Sequence, residues 1–176
     1  MLTSSFFVAR TAPIRKTSAA LVLATDGSFY GTTYGGGSGT SPEGSGTVFS
    51  ISREGKLTTL YGFNRKQGIH PVNALLQATN GNFYGLTPFG GSHDHGTVFR
   101  LSMGLGPFVT TRPNVGKIKT KVLILGNNVT DATSVTFDGT AAASQIVSTE
   151  IKTTVPAGAT TGAIEVTTGG GTLKAT

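Results

Sequence analysis

The stretch ALVLATDGSFYG at residues 20–31 recurs as ALLQATNGNFYG at residues 74–85, so the chain contains a tandem repeat. A second match, GTVF at residues 46–49 and 96–99, follows with a spacing of 50 instead of 54 residues, which places a four-residue deletion in the intervening loop. A repeat unit of this kind does not bury its apolar face alone, and such arrays need about three units. We therefore expect the chain to be a piece of a longer array.

Each repeat is predicted to form four short antiparallel strands. In the first repeat the apolar run Ala20–Ala24 enters a hairpin turn at Asp26-Gly27, a pair that favours positive φ at both central positions. Four strands in about 50 residues is the size of a propeller blade. Leu2–Phe6 also resembles Leu57–Tyr61, so Met1 is expected inside the last strand of a preceding unit, with a chance match of five similar residues as the alternative. The remaining strands of the first repeat are predicted at Phe29–Thr33, Gly46–Ile51 and Leu57–Tyr61.

These residues resemble a known family, the GloVer-type tandem repeat of large bacterial surface or secreted proteins. The resemblance covers about residues 17–102 and is carried by Asp26–Gly36, Gly46–Phe49 and Leu57–Phe63. It implies a repeat architecture and an extracellular or cell-surface location, although no export signal is expected within this chain. It implies no catalytic residue.

The composition changes near Thr111, because 13 of the 14 aromatic residues precede it and only Phe137 follows. This predicts two domains, residues 1–103 with the two repeats and residues 113–176 with a different fold. In the tail, apolar residues alternate as they do on half-buried strands. These are Val122 and Ile124, Val135 and Phe137, Ile151 and Val155, and Ile164 and Val166.

The tail resembles an IPT/TIG domain, which implies an immunoglobulin-like sandwich. The resemblance is carried by Gly116–Asn128, Ala132–Ala142 and Thr153–Gly162. Its last strand is expected to be short or missing, since the chain reaches Thr176 soon after the Gly170-Gly171 turn. The predicted fold is therefore all-β, with propeller-blade-like antiparallel repeats followed by an immunoglobulin-like β-sandwich.

The charge pattern argues against nucleic acid as a partner. The net charge is +6, but only 12% of the residues are charged, which is too dilute for a basic nucleic-acid footprint. Lys117, Lys119 and Lys121 have a period of two, which predicts a solvated edge strand. Binding of an anionic polymer is the alternative. The longest apolar runs are about six residues, so no membrane insertion is expected.

Few residues suggest chemistry, and we predict no catalytic, cofactor-binding or metal-ligating residue. The absence of cysteine excludes disulfides and thiolate metal sites. His93-Asp94-His95 offers three donors that need a further ligand to hold a divalent ion, and a polar loop is the preferred interpretation. Asp26 and Asn80 each precede glycine, so turn chemistry explains them better than calcium binding.

The recurring aromatic residues are predicted to pack in the core, with stacking on sugars as the alternative. They are Phe29, Tyr30, Phe83 and Tyr84. The sequence leaves three candidate functions. The preferred one is a non-enzymatic binding or structural module of an exported or cell-surface bacterial protein, with a protein or glycan partner and further repeats of the same protein as neighbours. The others are a carbohydrate-binding accessory region of a polysaccharide-acting enzyme and a fragment of the enzyme itself.

Overall fold

The computed structural model describes residues 20–37, 44–147 and 149–175, and the regular secondary structure in these ranges consists of antiparallel β-strands without a helix. None of these residues therefore belongs to a helix able to cross a membrane. Leu2–Phe6, whose sequence resembles a last strand, lies outside the described residues. In chain order the strands are β1 (Val22–Leu23), β2 (Phe29–Thr33), β3 (Thr47–Ile51), β4 (Leu57–Gly62), β5 (Leu76–Gln77), β6 (Phe83–Thr87), β7 (Thr97–Leu101), β8 (Val109–Arg112), β9 (Lys121–Gly126), β10 (Ser134–Phe137), β11 (Thr140–Ala141), β12 (Ser144–Val147), β13 (Glu150–Thr154), β14 (Ile164–Thr168) and β15 (Gly171–Lys174).

The first repeat forms the four-stranded sheet that its sequence predicts, in the order β1-β2-β3-β4. Successive side chains alternate between the two faces, and the register pairs Thr32 with Val48 and Gly31 with Phe49. The same alternation applies at the corresponding positions of the second repeat. We call the face with Tyr30, Thr32 and Val48 the front face, and the face with Phe29, Gly31 and Phe49 the back face.

The second repeat has three strands among the described residues, in the order β5-β6-β7, so the prediction of four strands is wrong for this repeat. Residues 107–112 correspond to β4 at the spacing of 50 residues, and they contain β8. This strand pairs with β9 instead, with Thr111 opposite Ile124. The physical reason is burial, since β8 places Val109 fully inside a separate hydrophobic core.

The hairpin turn at Asp26-Gly27 differs from the two-residue turn that the sequence predicts. Only Gly27 has positive φ, at 79°. Ala24 N donates to Ser28 O at 2.9 Å and Gly27 N donates to Ala24 O at 2.9 Å, which describes a three-residue loop with glycine in the left-handed position. The turn at Gly81 repeats this arrangement, with φ at 84°.

The chain divides into two compact units. The first contains residues 20–37, 44–76 and 84–100 of the described ranges, and the second contains residues 77–83, 101–147 and 149–175. The hairpin loop of the second repeat belongs to the second unit because it is bonded there. Phe108 N donates to Thr79 O at 2.9 Å, and Thr79 Oγ1 donates to Asn127 Oδ1 at 2.5 Å.

Within the first unit, the front face of the first repeat packs against the second repeat. Phe63 lies two residues beyond Tyr61, which is opposite Val48, and its buried ring contacts the Phe99 ring edge to face at 4.9 Å. Thr32 Oγ1 on the same face donates to the Asn73 carbonyl at 3.4 Å. The two repeats therefore bury apolar surface on each other, as repeat units do.

The second unit has two four-stranded sheets, β11-β10-β14-β15 and β12-β13-β9-β8, that share one core. The inward positions predicted from the alternation are all in this core or packed against it. β15 closes the first of these sheets, pairs with β14, and buries Leu173. The buried residues of this core are Val109, Val122, Ile124, Val129, Val135, Phe137, Ile151, Val166 and Leu173.

Candidate functional site

The residues shared by the two repeats have the same structural roles in both. The Phe49 ring lies over Gly31, and the Phe99 ring lies over Gly85, so the two phenylalanines occupy equivalent positions. Phe29 and Phe83 are likewise the first residues of β2 and β6. Both phenylalanine pairs therefore occupy equivalent strand positions. Glycine is required under each ring because a methyl group there would overlap it.

A pair of threonines, missed in the sequence analysis, joins the second and third strands of each repeat. Thr33 Oγ1 lies 2.7 Å from Thr47 Oγ1 and accepts from Thr47 N at 3.1 Å. Thr87 and Thr97 repeat this pattern, with 2.8 Å between the hydroxyls and 3.0 Å from the amide. The sequence does contain a signal for them, because Thr33 recurs as Thr87 at the spacing of 54 residues and Thr47 recurs as Thr97 at the spacing of 50 residues. The hydrogen bonds of these hydroxyls are made within the sheet, where they join the ends of neighbouring strands.

Asp26 and Asn80 act as turn residues, which agrees with the preferred interpretation. Asp26 Oδ1 accepts from Ser28 N at 2.9 Å, and Asn80 Oδ1 accepts from Asn82 N at 3.0 Å. These bonds are the Asx-turns expected where such a residue precedes glycine. The second carboxylate oxygen of Asp26 accepts from the Tyr30 hydroxyl at 2.9 Å.

The Tyr30 hydroxyl is the one strongly perturbed titratable group among the described residues. Its burial, together with the hydrogen bond to Asp26 and the charge of that carboxylate, raises the pKa of Tyr30 to about 12. All three causes disfavour the phenolate, which would be desolvated, would lose its hydrogen bond to Asp26 and would face a negative charge. Tyr30 therefore remains a neutral donor, and its role is to hold the Asp26 turn against the sheet.

The four tyrosines do not form an exposed row for sugar stacking, and all are at least partly buried. Tyr34 stacks on His70 with the ring centroids 4.2 Å apart, and Tyr61 contacts the edge of Phe63 at 5.2 Å. His70 Nδ1 also lies 2.9 Å from the Tyr34 carbonyl. The tyrosine rings contribute to packing, as predicted for Tyr30 and Tyr84. The core prediction is wrong for Phe29, which is 39% exposed because no described neighbour packs on its face of the sheet.

The loop around His93 and His95 is organised by Asp94. The two carboxylate oxygens of Asp94 are engaged by Gly90 N, at 3.1 Å, and by the Arg65 guanidinium. His93 Nδ1 lies 2.9 Å from Ser92 Oγ, and both histidines are exposed. Within the described ranges, no three His, Asp or Glu side chains are grouped as metal ligands. The contacts correspond to a polar surface loop.

The lysine pattern has a different structural basis from the predicted edge strand. Lys117 and Lys119 lie in a turn, where Lys119 has φ of 72°, and only Lys121 belongs to a strand. That strand is β9, which is flanked by β13 and β8 and is therefore internal. The edge-strand prediction is wrong because the Lys117–Thr120 turn, closed by Thr120 N donating to Lys117 O at 2.9 Å, interrupts the period of two.

An open groove of about 670 Å³ lies on the outer face of the sheet that contains β9. The strand register aligns Gln145, Lys152, Leu123 and Arg112 in one row across four strands. Lys121 lies in the next row, opposite Thr154. Between these rows the lining also includes the buried pair Val122 and Thr153. The groove therefore combines three cations with an apolar centre at Leu123 and several hydrogen-bonding side chains.

The electrostatics of this groove favour an extended anionic ligand. Arg112, Lys121 and Lys152 are all exposed, and the groove is wide and shallow. Within the described residues, the one ion pair that these three cations form joins Lys152 Nζ to Glu150 Oε1 at 3.3 Å. An exposed ion pair of this kind is weak and is readily exchanged for a ligand. Arg112 and Lys152 are groove residues that the sequence analysis missed, because register alone brings them beside Lys121.

Comparison with known proteins identifies one family. The model of the Gloeobacter/Verrucomicrobia repeat matches residues 4–149, which includes both repeats and extends into the second unit. No curated protein and no solved structure shows significant similarity to the chain. The matched range is longer than the 17–102 range expected from the sequence, and it overlaps the first part of the segment that resembles IPT/TIG.

Proposed function

Because the chain belongs to the Gloeobacter/Verrucomicrobia repeat family, we propose that it is a non-enzymatic structural or binding module of an exported or cell-surface bacterial protein. One observation carries this proposal. The residues that define the repeat are engaged in turns, strand pairing and repeat-on-repeat packing, as for the two threonine pairs and the Phe63–Phe99 contact. A repeated sequence used in this way serves to propagate an array.

The proposed architecture is a propeller-like array followed by an immunoglobulin-like sandwich of the IPT/TIG type. Support for the array comes from the four-stranded antiparallel sheet of the first repeat and its packing against the second. Support for the sandwich comes from the two sheets around one core in the second unit. A module of this kind supplies length and surface to a larger protein.

The location is tested in a bacterium that produces the complete native reading frame with an epitope inserted after Gly55, in the exposed turn before β4. We expect protease added to intact cells to remove the epitope while a cytosolic marker persists. Protection of the epitope in intact cells, with loss only after lysis, would contradict export. The insertion site is suitable because the space around Gly55 is open.

The second candidate function is carbohydrate binding, and the basic groove favours it for acidic polysaccharides. Carboxylate-bearing sugars match guanidinium and ammonium donors, and Leu123 offers an apolar surface between them. We expect electrophoresis of the full chain to be retarded in gels that contain polygalacturonate but not in gels that contain dextran. Lys121→Glu would abolish the retardation, whereas Lys66→Glu, an equal charge change on the first unit, would preserve most of it. Equal behaviour of the two variants would contradict a groove site.

A further inference from the structure

Equivalent positions of the two repeats have opposite exposure, and the pattern follows the faces. On the front face, Val48 of the first repeat is 1% exposed, whereas its counterpart Val98 is 74% exposed. On the back face the order is reversed, since Leu75 of the second repeat is 2% exposed and its counterpart Leu21 is 48% exposed. Among the described residues, one front face and one back face are therefore covered and one of each is exposed, and we call the two exposed ones the free faces.

The covered faces contact each other. The front face of the first repeat and the back face of the second meet through Phe63 and Phe99, and Thr32 donates to Asn73 beside them. The two repeats carry the same sequence pattern on these strands. The free back face of the first repeat therefore presents the same arrangement of a phenylalanine over a glycine, with a leucine beside it, as the back face that is covered within the chain.

Both free faces carry several exposed apolar side chains, and the free front face also carries the exposed Arg100 beside Val98. Leu76 and Leu86 are exposed on the front face of the second repeat together with Val98. Leu23 and Phe29 are exposed on the back face of the first repeat, where the register pairs them directly. Clustered exposed apolar side chains on one face mark an interaction surface, unlike single ones scattered over a protein.

We propose that a second copy of this chain docks head to tail, with the back face of its first repeat on the front face of the second repeat. This inference rests on the proposed repeat module and adds its partner surface. The contact is heterologous, because two different faces meet, so each added copy presents a new free face. Association therefore continues beyond two copies, as either a ring or an open chain.

The test uses three variants of the full chain, each with arginine at an exposed apolar position. Val98→Arg blocks the free front face, and Leu23→Arg blocks the free back face. Val115→Arg is the matched control, because Val115 is as exposed as Val98 but lies in the second unit. Burying an arginine in an apolar contact is unfavourable, so each blocking variant should weaken association about tenfold or more in sedimentation equilibrium.

The mixing experiment distinguishes head-to-tail docking from symmetric pairing. Wild type and Val115→Arg should associate with rising concentration beyond dimers. Val98→Arg and Leu23→Arg should each stay monomeric, and their equimolar mixture should form a 1:1 dimer that grows no further. Such a dimer joins the intact back face of the first variant to the intact front face of the second.

Three results would overturn the docking proposal. They are a monomeric wild type at every accessible concentration, association of Val98→Arg as strong as that of wild type, and dimers formed by each blocking variant alone. Far-UV circular dichroism verifies that both variants are folded, which is expected because both substituted side chains are exposed. A monomeric wild type leaves the module proposal intact, since that proposal is tested by surface location and by packing within the chain.

Discussion

The first and second repeats share the pattern of their first three strands but bury opposite faces. The first repeat buries its front face, with Tyr30 and Val48, and exposes Phe29 on its back face. The second buries Phe83 at the position of Phe29 and exposes Val98 at the position of Val48. Equal residues at equal positions therefore contribute differently to stability, because burial is decided by the neighbour and not by the repeat itself.

The largest difference is expected for the phenylalanine pair. Phe83 is completely buried and Phe29 is 39% exposed. Phe83→Ala should lower the free energy of unfolding by about 3–5 kcal/mol, through lost burial and an unfilled cavity. Phe29→Ala should lower it by about 1 kcal/mol or less. Urea denaturation of the full chain measures both, and equal losses would contradict the proposed difference between the back faces.

The valine pair makes the reciprocal comparison on the front face. Val48→Ala should reduce the free energy of unfolding by about 2 kcal/mol, because two buried methyl groups are removed from a covered face. Val98→Ala should change it by no more than about 0.5 kcal/mol in dilute solution. A loss at Val98 as large as that at Val48 would mean that both front faces are covered in the monomer. Sedimentation at the concentration of the denaturation experiment serves as the control.

A third comparison adds a methyl group under each phenylalanine ring. At Gly85 the new methyl overlaps the Phe99 ring and lies 2.9 Å from Leu75 Cδ2, on a covered face. Gly85→Ala should therefore destabilise by about 1–3 kcal/mol, the usual range for overpacking. At Gly31 the methyl lies 2.8 Å from Phe49 and from Leu21, which is exposed and free to move. Gly31→Ala should cost less than half as much by thermal denaturation.

The smallest effect concerns the turn that differs between the repeats, Asp26 in the first and Asn80 in the second. With the pKa of Tyr30 at about 12 against an ordinary value of 10.0, the folded state retains a proton that the unfolded state loses. Stability from this group is complete below pH 10 and is lost as the pH rises towards 12. Subtracting the absorbance titration of Tyr30→Phe from that of the wild type gives the titration of Tyr30 alone.

Removing the carboxylate charge should lower the pKa of Tyr30, because both the hydrogen bond and the charge of Asp26 contribute to the shift. Asp26→Asn keeps an acceptor at the same position and removes only the charge. Burial remains the larger cause, so part of the shift should persist in this variant. An unchanged titration in Asp26→Asn would show that burial alone sets the pKa of Tyr30.

Much of the fold was predictable because the signals are local. Alternating apolar residues identified the strands of the second unit, such as Val122 and Ile124 on β9. The Gly27 turn was located correctly, although its loop length was wrong, since the number of loop residues depends on which strand atoms pair. Lys121 was assigned to an edge strand because a local pattern does not show which strands pair with β9, and its partner β13 is distant in sequence.

The candidate groove was only partly predictable for the same reason. The lysine pattern includes Lys121, and it predicts an anionic polymer as an alternative partner. Arg112 and Lys152 join it only through the pairing of three strands, and no spacing in the sequence indicates that pairing. Lys117 and Lys119, although closer in sequence, lie in a turn outside the groove lining.

The sequence by itself determined the repeat spacing, the strand periodicity and the positions of the turn glycines, because each depends on local conformational preference. Only the tertiary structure decided which face of each repeat is covered. It also decided that β8, the expected fourth strand of the second repeat, pairs in another sheet. The physical reason is that burial is a property of pairs of surfaces. Val48 and Val98 have the same local sequence, yet only Val48 lies on a face against which a neighbour packs.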